Sequence, residues 1–241
     1  MTITASPVPI LKDNYAWLLR DSGTGATAIV DPAEAEPVIE ALEKAGGRLD
    51  MILITHHHSD HTAAVDAVRA RFHCPVYGAA ADQYRLPALD EALKEGDTIR
   101  LGDGVGQVID TPGHTRGQIN FFFPAGPILL SGDTLFSLGC GRLSEGTPAE
   151  MYDSLRKLAA LPADTLVCCG HEYTESNARF ALAVDPDNTA LHAFVAKVEQ
   201  LRSAGQPSVP SLLGEELKAN PFLLAKNEAS FASLRAKKDR F

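Results

Sequence analysis

Met51-Ile52-Leu53-Ile54-Thr55-His56-His57-His58-Ser59-Asp60-His61 is the stretch that decides how this chain folds. An apolar run ending in a polar cluster reads as a buried strand that delivers side chains to a loop. On extended backbone, residues two apart project to the same side, so His56 and His58 can grip one cation together. If the chain then turns into a helix at Asp60 and His61, those side chains diverge from the first pair and can serve a neighbouring ion. Neutral imidazole and ionised carboxylate suit zinc and the borderline first-row metals. A tag-like histidine tract is the competing reading. A tag would sit at a terminus, without the strand or the interposed aspartate.

Three further segments repeat the pattern of an apolar strand, a small residue and then one His or Asp. Asp110-Thr111-Pro112-Gly113-His114 follows the alternating run 106–109, and Pro112-Gly113 forces a turn that presents His114. Ser131-Gly132-Asp133-Thr134 follows Ile128-Leu129-Leu130, and Cys169-Gly170-His171-Glu172 follows Thr165-Leu166-Val167-Cys168. Any one of these alone reads as an ordinary strand-ending turn. Together they supply the ligands a two-ion centre needs.

The order of these segments resembles the metallo-β-lactamase superfamily, whose signature is His-x-His-x-Asp-His, then a histidine, an aspartate and a last histidine. Within it, the chain is similar to the glyoxalase II (hydroxyacylglutathione hydrolase) family. That likeness runs nearly end to end, through Leu11-Lys12-Asp13-Asn14-Tyr15, Ala28-Ile29-Val30-Asp31-Pro32 and Thr111-Pro112-Gly113-His114-Thr115. It continues through Gly132-Asp133-Thr134-Leu135-Phe136, Gly139-Cys140-Gly141-Arg142, Gly170-His171-Glu172-Tyr173-Thr174 and Asn220-Pro221-Phe222.

Composition agrees. The 241 residues, 45% of them hydrophobic, can bury one large core or a core with a small appendage. No run approaches the roughly 18 apolar residues of a membrane span, and the start, Met1-Thr2-Ile3-Thr4-Ala5, shows no secretory signal. Four cysteines, with Cys168 and Cys169 adjacent and Cys74 and Cys140 far apart, read as buried thiols of a cytoplasmic protein. A net charge of −9 argues against general nucleic-acid binding. The expected partner is a small-molecule thioester, with neither nucleic acid nor membrane, and a monomer is the simplest expectation.

Before Tyr173, strand patterns at 14–20, 26–31, 51–55, 107–111, 119–123, 128–131 and 165–169 alternate with helical ones. The stretch 34–46 is helical by spacing, and Thr147-Pro148-Ala149-Glu150 is a capping-box helix start. After Tyr173 strand patterns disappear: 178–184, 189–201 and 228–238 read as helices, with a Pro-containing connection at 206–210. Spacing therefore predicts an α/β body with a small helical C-terminal piece. The resemblance implies a metallo-β-lactamase-like αββα sandwich over residues 1–172, and a helical glutathione-binding domain over 173–241.

Carried over residue by residue, the resemblance puts His56, His58 and His114 on one ion. Asp60, His61 and His171 go to a second, and Asp133 bridges both. It implies two divalent ions, zinc first, with iron or manganese also suited to five histidines and two carboxylates. Asp60 would also orient the attacking hydroxide. His57 alternates away from its neighbours and is expected to pack against the body or support the ligands. Asp31, ending a strand before Pro32, is expected to hydrogen-bond ligand histidines rather than coordinate. His73 and His192 read as ordinary histidines.

Glutathione carries carboxylates, so a chain this acidic needs a local basic patch. Leu234-Arg235-Ala236-Lys237-Lys238-Asp239-Arg240 is the densest, with Arg235 and Lys238 on one helical face. The resemblance makes Arg235 and Lys238 a glutathione-binding pair, joined by Arg142 and Tyr173. Ser144 stands where many family members carry an aromatic residue, which would leave a shorter contact to the peptide. Ala63-Ala64 replaces a common glycine pair and favours helix. The implied reaction is hydrolysis of S-D-lactoylglutathione and other S-2-hydroxyacylglutathiones to glutathione and a 2-hydroxy acid, the second step of methylglyoxal detoxification. Two readings compete with it: a glutathione persulfide dioxygenase of the same superfamily, and a non-catalytic metal-binding scaffold.

Overall fold

The computed structural model describes residues 2–241; Met1 lies outside it. Fourteen strands are described: β1 Ile3–Ile10, β2 Asn14–Asp21, β3 Thr27–Val30, β4 Met51–Leu53, β5 Val76–Ala79, β6 Glu91–Leu93, β7 Thr98–Leu101, β8 Gly104–Asp110, β9 Ile119–Phe123, β10 Ile128–Gly132, β11 Leu135–Phe136, β12 Gly139–Cys140, β13 Leu166–Cys169 and β14 Ser211–Leu212. Eight α-helices join them: α1 Ala35–Lys44, α2 Ser59–Thr62, α3 Val65–Phe72, α4 Pro148–Ala159, α5 Thr174–Val184, α6 Thr189–Ser203, α7 Leu213–Ala219 and α8 Glu228–Lys238.

One sheet runs β1-β2-β3-β4-β5-β6 and the second β14-β13-β10-β9-β8-β7, with β11-β12 a separate hairpin. Alternation along β9 shows how they pack. Phe121 and Phe123 join the core shared with Leu19, Val30 and Leu53 of the first sheet, the face from which Trp17 Nε1 donates to the Cys169 carbonyl of β13. Phe122 points the other way, to Met151 and Leu155 of α4 and Phe231 of α8. Val38 and Leu42 of α1 and Val65 and Val68 of α3 cover the outer face of the first sheet. The architecture is thus two sheets face to face between helical layers, with α5 and α6 building a further small cluster. Phe121 is fully buried between the sheets. Phe121→Ala should cost about 3–5 kcal/mol, read as a lower denaturant midpoint at unchanged slope.

The helix start at Thr147 is as expected: its side chain accepts from the Glu150 amide and Glu150 reaches back, a full capping box. Elsewhere the structure differs from the pattern reading. β1 escapes it because Pro7 and Pro9 interrupt the run. The strand tolerates them because it lies at the sheet edge, paired only with β2. α5 begins at Thr174, four residues before the expected 178. Strand structure also persists after Tyr173. β14 pairs antiparallel with β13 and leads directly into α7, just past the connection expected at 206–210 and in a stretch where no element was expected. Two residues carry no readable period.

Candidate metal centre

The ligand loop leaves the first sheet at β4 and enters α2, so the chain turns helical at Ser59 just as the aspartate and last histidine arrive. His114 follows β8, Asp133 follows β10 and His171 follows β13, all in the second sheet. The centre therefore spans the ends of both sheets. Two glycines make room. A Cβ on Gly170 would lie 2.6 Å from Asp133 Oδ1, and one on Gly132 would lie 2.5 Å from Thr55 Oγ1. The small residue before each ligand is a requirement of close approach.

Two groups of donor atoms converge. His58 Nδ1 lies 3.2 Å from His56 Nε2 and 3.0 Å from His114 Nε2. Asp60 Oδ2 lies 3.6 Å from His61 Nε2 and 3.4 Å from His171 Nε2. Asp133 stands between the groups. Oδ1 is 3.4 Å from His61 Nε2, and Oδ2 is 3.5 Å from His114 Nε2 and 3.4 Å from His171 Nε2. Ligands at ordinary zinc bond lengths in a tetrahedron stand about 3.3 Å apart, so these separations fit shared cations. Among the described residues, buried His61 Nε2 and Asp133 Oδ1 have no hydrogen-bond partner, as expected of atoms reserved for a metal. The donor set fits a dinuclear divalent-metal site.

The opposite ring nitrogens are oriented by acceptors. His61 Nδ1 faces Asp31 Oδ2 at 3.0 Å, His171 Nδ1 faces Asp13 Oδ1 at 3.2 Å, and His114 Nδ1 faces the Arg142 carbonyl at 2.8 Å. Thr55 Oγ1 donates to Asp31 Oδ2 at 2.7 Å, which leaves it to accept from His56 Nδ1 at 3.0 Å. Asp31 also accepts from the Thr55 amide. Asp31, His56 and His61 could by proximity hold an ion. The Asp31 oxygens already accept three hydrogen bonds, so hydrogen bonding is the better description. Such contacts fix tautomer and ring direction. Asp31→Ala should weaken metal binding about tenfold to hundredfold, because it releases His61 directly and His56 through Thr55. Chelator competition with elemental analysis would check this.

Electrostatics favour positive charge here. Burial opposes protonation of His61 and His171, but the carboxylates of Asp133, Asp31 and Asp60 outweigh it and move both upward. The hydrogen bond to His171 holds Asp60 well below the usual carboxylate range. Burial opposes ionisation of Asp133, yet His61 and His171 hold it low as well. Burial, then neighbouring imidazoles, push His56 and His58 down, keeping them neutral and able to donate lone pairs.

Beside the centre a cleft of about 420 Å³ is lined by His114, Asp133, Phe136, Arg142, Tyr173 and Lys238, among others. The Tyr173 ring stacks on His171, centroids 4.5 Å apart and 9° from parallel. Lys238 Nζ donates to the Ser176 carbonyl at 3.0 Å and keeps further hydrogens for the cleft. Burial and nearby Arg235, Arg179 and Arg142 lower its pKa to about 8. Arg235 lines the same cleft but is 4% exposed, and its guanidinium already serves the Cys140 carbonyl at 2.9 Å and Asp239 at 2.8 Å. Removing it would therefore unmake local structure as well as a charge. Ser144 is exposed and outside the cleft lining, so the structure does not bring it to the others.

Sequence reasoning missed several partners. Asp13 and Thr55 orient ligands, and Asn14 donates to Asp60 Oδ2 at 3.0 Å. Asp13 and Asn14 sit in a stretch that itself carried the family likeness, which was the available signal. His73 and His192 lie apart from the centre: His73 caps α3 in the left-handed region, and His192 contacts the Pro186 carbonyl.

A four-layered sandwich with a His/Asp two-ion centre at the sheet ends defines the class, and the metallo-β-lactamase superfamily model matches residues 11–171. A model described as the hydroxyacylglutathione hydrolase C-terminus matches residues 172–241. The chain belongs to the hydroxyacylglutathione hydrolase family of that superfamily. It is 56% identical to the hydroxyacylglutathione hydrolase of Acidiphilium cryptum over 99% of this chain and 97% of that one. It is 49% identical to the protein of that name from Ruegeria pomeroyi over the full length of both. Among solved structures, ETHE1 from Myxococcus xanthus superposes with a TM-score of 0.72 at 26% identity, covering 98% of this chain and 90% of that one. TTHA1623 in a di-iron-bound form gives 0.66 at 27% identity, covering 90% and 100%.

Proposed function

We infer that the chain hydrolyses the thioester of S-D-lactoylglutathione and other S-2-hydroxyacylglutathiones, yielding glutathione and a 2-hydroxy acid. The observation that carries the reading is the meeting of two ligand groups at Asp133, at the mouth of a cleft edged by Arg142 and Lys238. His56, His58 and His114 would hold one divalent ion, Asp60, His61 and His171 the other, with Asp133 shared. Such a pair supplies hydroxide near neutral pH and charge stabilisation for a developing oxyanion. Zinc is the first choice for these ligands, with iron and manganese also compatible.

The chain's residues do the rest. Lys238 and Arg142 attract the carboxylates of the glutathione moiety, while Arg235 holds the cleft wall through Cys140. Tyr173, stacked on His171, places a hydroxyl at the boundary between centre and cleft. Asp60, kept ionised by its hydrogen bond to His171 and accepting from Asn14 at Oδ2, would orient the hydroxide such a pair supplies. Attack at the carbonyl carbon breaks the C–S bond, and the sulfur leaves as thiolate. A thiol pKa of about 8.5 makes that departure possible without a dedicated acid. We further propose residues 1–172 as the catalytic unit and 173–241 as the substrate-holding one, since Tyr173, Arg235 and Lys238 come from the latter.

The test is turnover of S-D-lactoylglutathione, followed by thiol release and 2-hydroxy acid formation, with an oxygen electrode run in parallel on glutathione persulfide. Equal thiol and acid with no oxygen uptake is expected. Oxygen uptake on the persulfide without thioester hydrolysis would instead establish the dioxygenase reading. No turnover of either would leave the scaffold reading.

A further inference from the structure

Beside the ligands, but outside the ligand set, lies a closed ring of polar side chains, His57, Asp82, Arg85 and Glu145. His57 Nδ1 sits 3.0 Å from Asp82 Oδ2, and its Nε2 sits 3.6 Å from Glu145 Oε1. Arg85 closes the ring, donating to Asp82 Oδ1 at 2.5 Å and to both oxygens of Glu145, one of them at 3.1 Å. Asp82 is buried, and a Cβ on Gly117 would strike its carboxylate at 2.2 Å, so the ring is built into the fold.

Three segments meet there. His57 belongs to the ligand loop of the first sheet and is covalently next to His58. Asp82 and Arg85 follow β5. Glu145 is joined to the His114 turn of the second sheet: its amide donates to the His114 carbonyl at 3.2 Å, and its Oε2 accepts from the Arg116 amide at 2.9 Å. The ring therefore ties His58 to His114 across the two sheets. These donors form the first cation position, with Nδ1 and Nε2 3.0 Å apart. Residues 54–58 lie beyond the end of β4 and before α2; backbone hydrogen bonds hold Ile54, Thr55 and the His58 carbonyl, and the ring adds a side-chain hold through His57 beside them.

We propose that Arg85, acting through Asp82–His57 and through Glu145, is a positioning residue that holds His58 and His114 at the spacing the first cation requires. The inference rests on the His56, His58 and His114 group being a metal site. The second position is built from Asp60, His61 and His171, oriented instead by Asn14, Asp31 and Asp13, so the ring has no direct hold on it.

The experiment titrates a chelator against metal-loaded wild type, Arg85→Gln and Arg85→Lys, with ions retained per chain counted by elemental analysis. Arg85→Gln should release one ion at about tenfold to hundredfold lower chelator than wild type, the usual effect of losing an outer partner of a ligand. The other ion should leave as in wild type. Arg85→Lys keeps the charge but cannot fork between two carboxylates, so it should fall between them. Should Arg85→Gln not fold, His57→Ala cuts the ring at its opposite node and is read in the same way. Release of both ions at wild-type concentrations would overturn the proposal, as would equal weakening of both, which marks a general loss of structure. A wild type that holds no ion would instead remove the metal-site reading beneath it.

Discussion

Asp133→Asn and Asp133→Ala should each lower kcat by more than about a thousandfold, beyond the 10²–10³ effect of one oxyanion-stabilising donor. The Asp133 carboxylate reaches nitrogens of both ligand groups, at 3.4–3.5 Å. Its loss removes a shared ligand and a unit of negative charge from five imidazoles packed together. Metal content should fall with activity. Asparagine keeps the shape but only one good acceptor, so it should retain more metal than alanine and little more activity. The check is elemental analysis beside steady-state kinetics on S-D-lactoylglutathione. Full metal occupancy with near-normal turnover would contradict the bridging role.

Lys238→Ala should raise KM about tenfold to hundredfold for a glutathione thioester, with kcat little changed. One charge-assisted hydrogen bond is worth about 1.5–3 kcal/mol, and a contact remote from the scissile bond is equal in ground and transition states. A thioester lacking the glycine carboxylate should bind wild type and variant alike. The pH dependence has a definite sign. The Lys238 pKa is lowered to about 8, so the free enzyme loses this charge as pH rises through that value. The wild-type preference for the carboxylate-bearing substrate should therefore fade between pH 7 and 9, and the variant should show no such fade. Arg235→Ala makes the useful contrast. It strips the Cys140 carbonyl and Asp239 of a buried partner, so its rise in KM should come with a lower melting temperature.

Much of the centre was legible in the sequence because each ligand follows a strand that announces itself by apolar composition. Gly132 and Gly170 mark the residue behind the donor, where backbone must come close to Asp133 and Thr55. What supports the ligands was less legible. Asp31, ending its strand at a proline, could be anticipated. Asp13, Asn14 and Thr55 could not be given roles, because the atoms they orient come from segments remote in sequence or depend on a rotamer. Arg235 shows the same limit, its guanidinium being already engaged by the Cys140 carbonyl and Asp239. A residue can hold a family position without its side chain being free to face the substrate. Within the fold, β1 was obscured by prolines that only an edge strand accommodates, and β14 by being two residues long. Position in the sheet decides both, and local pattern does not encode it.

The most direct test of the two-ion hydrolase account is a metal titration of activity. The purified chain would be stripped with chelator, its metal measured, and zinc returned in steps while hydrolysis of S-D-lactoylglutathione is followed. Activity should vanish with the metal and return to a plateau at two ions per chain. Full activity in stripped protein, or saturation of activity at a single ion with the second without effect, would contradict it.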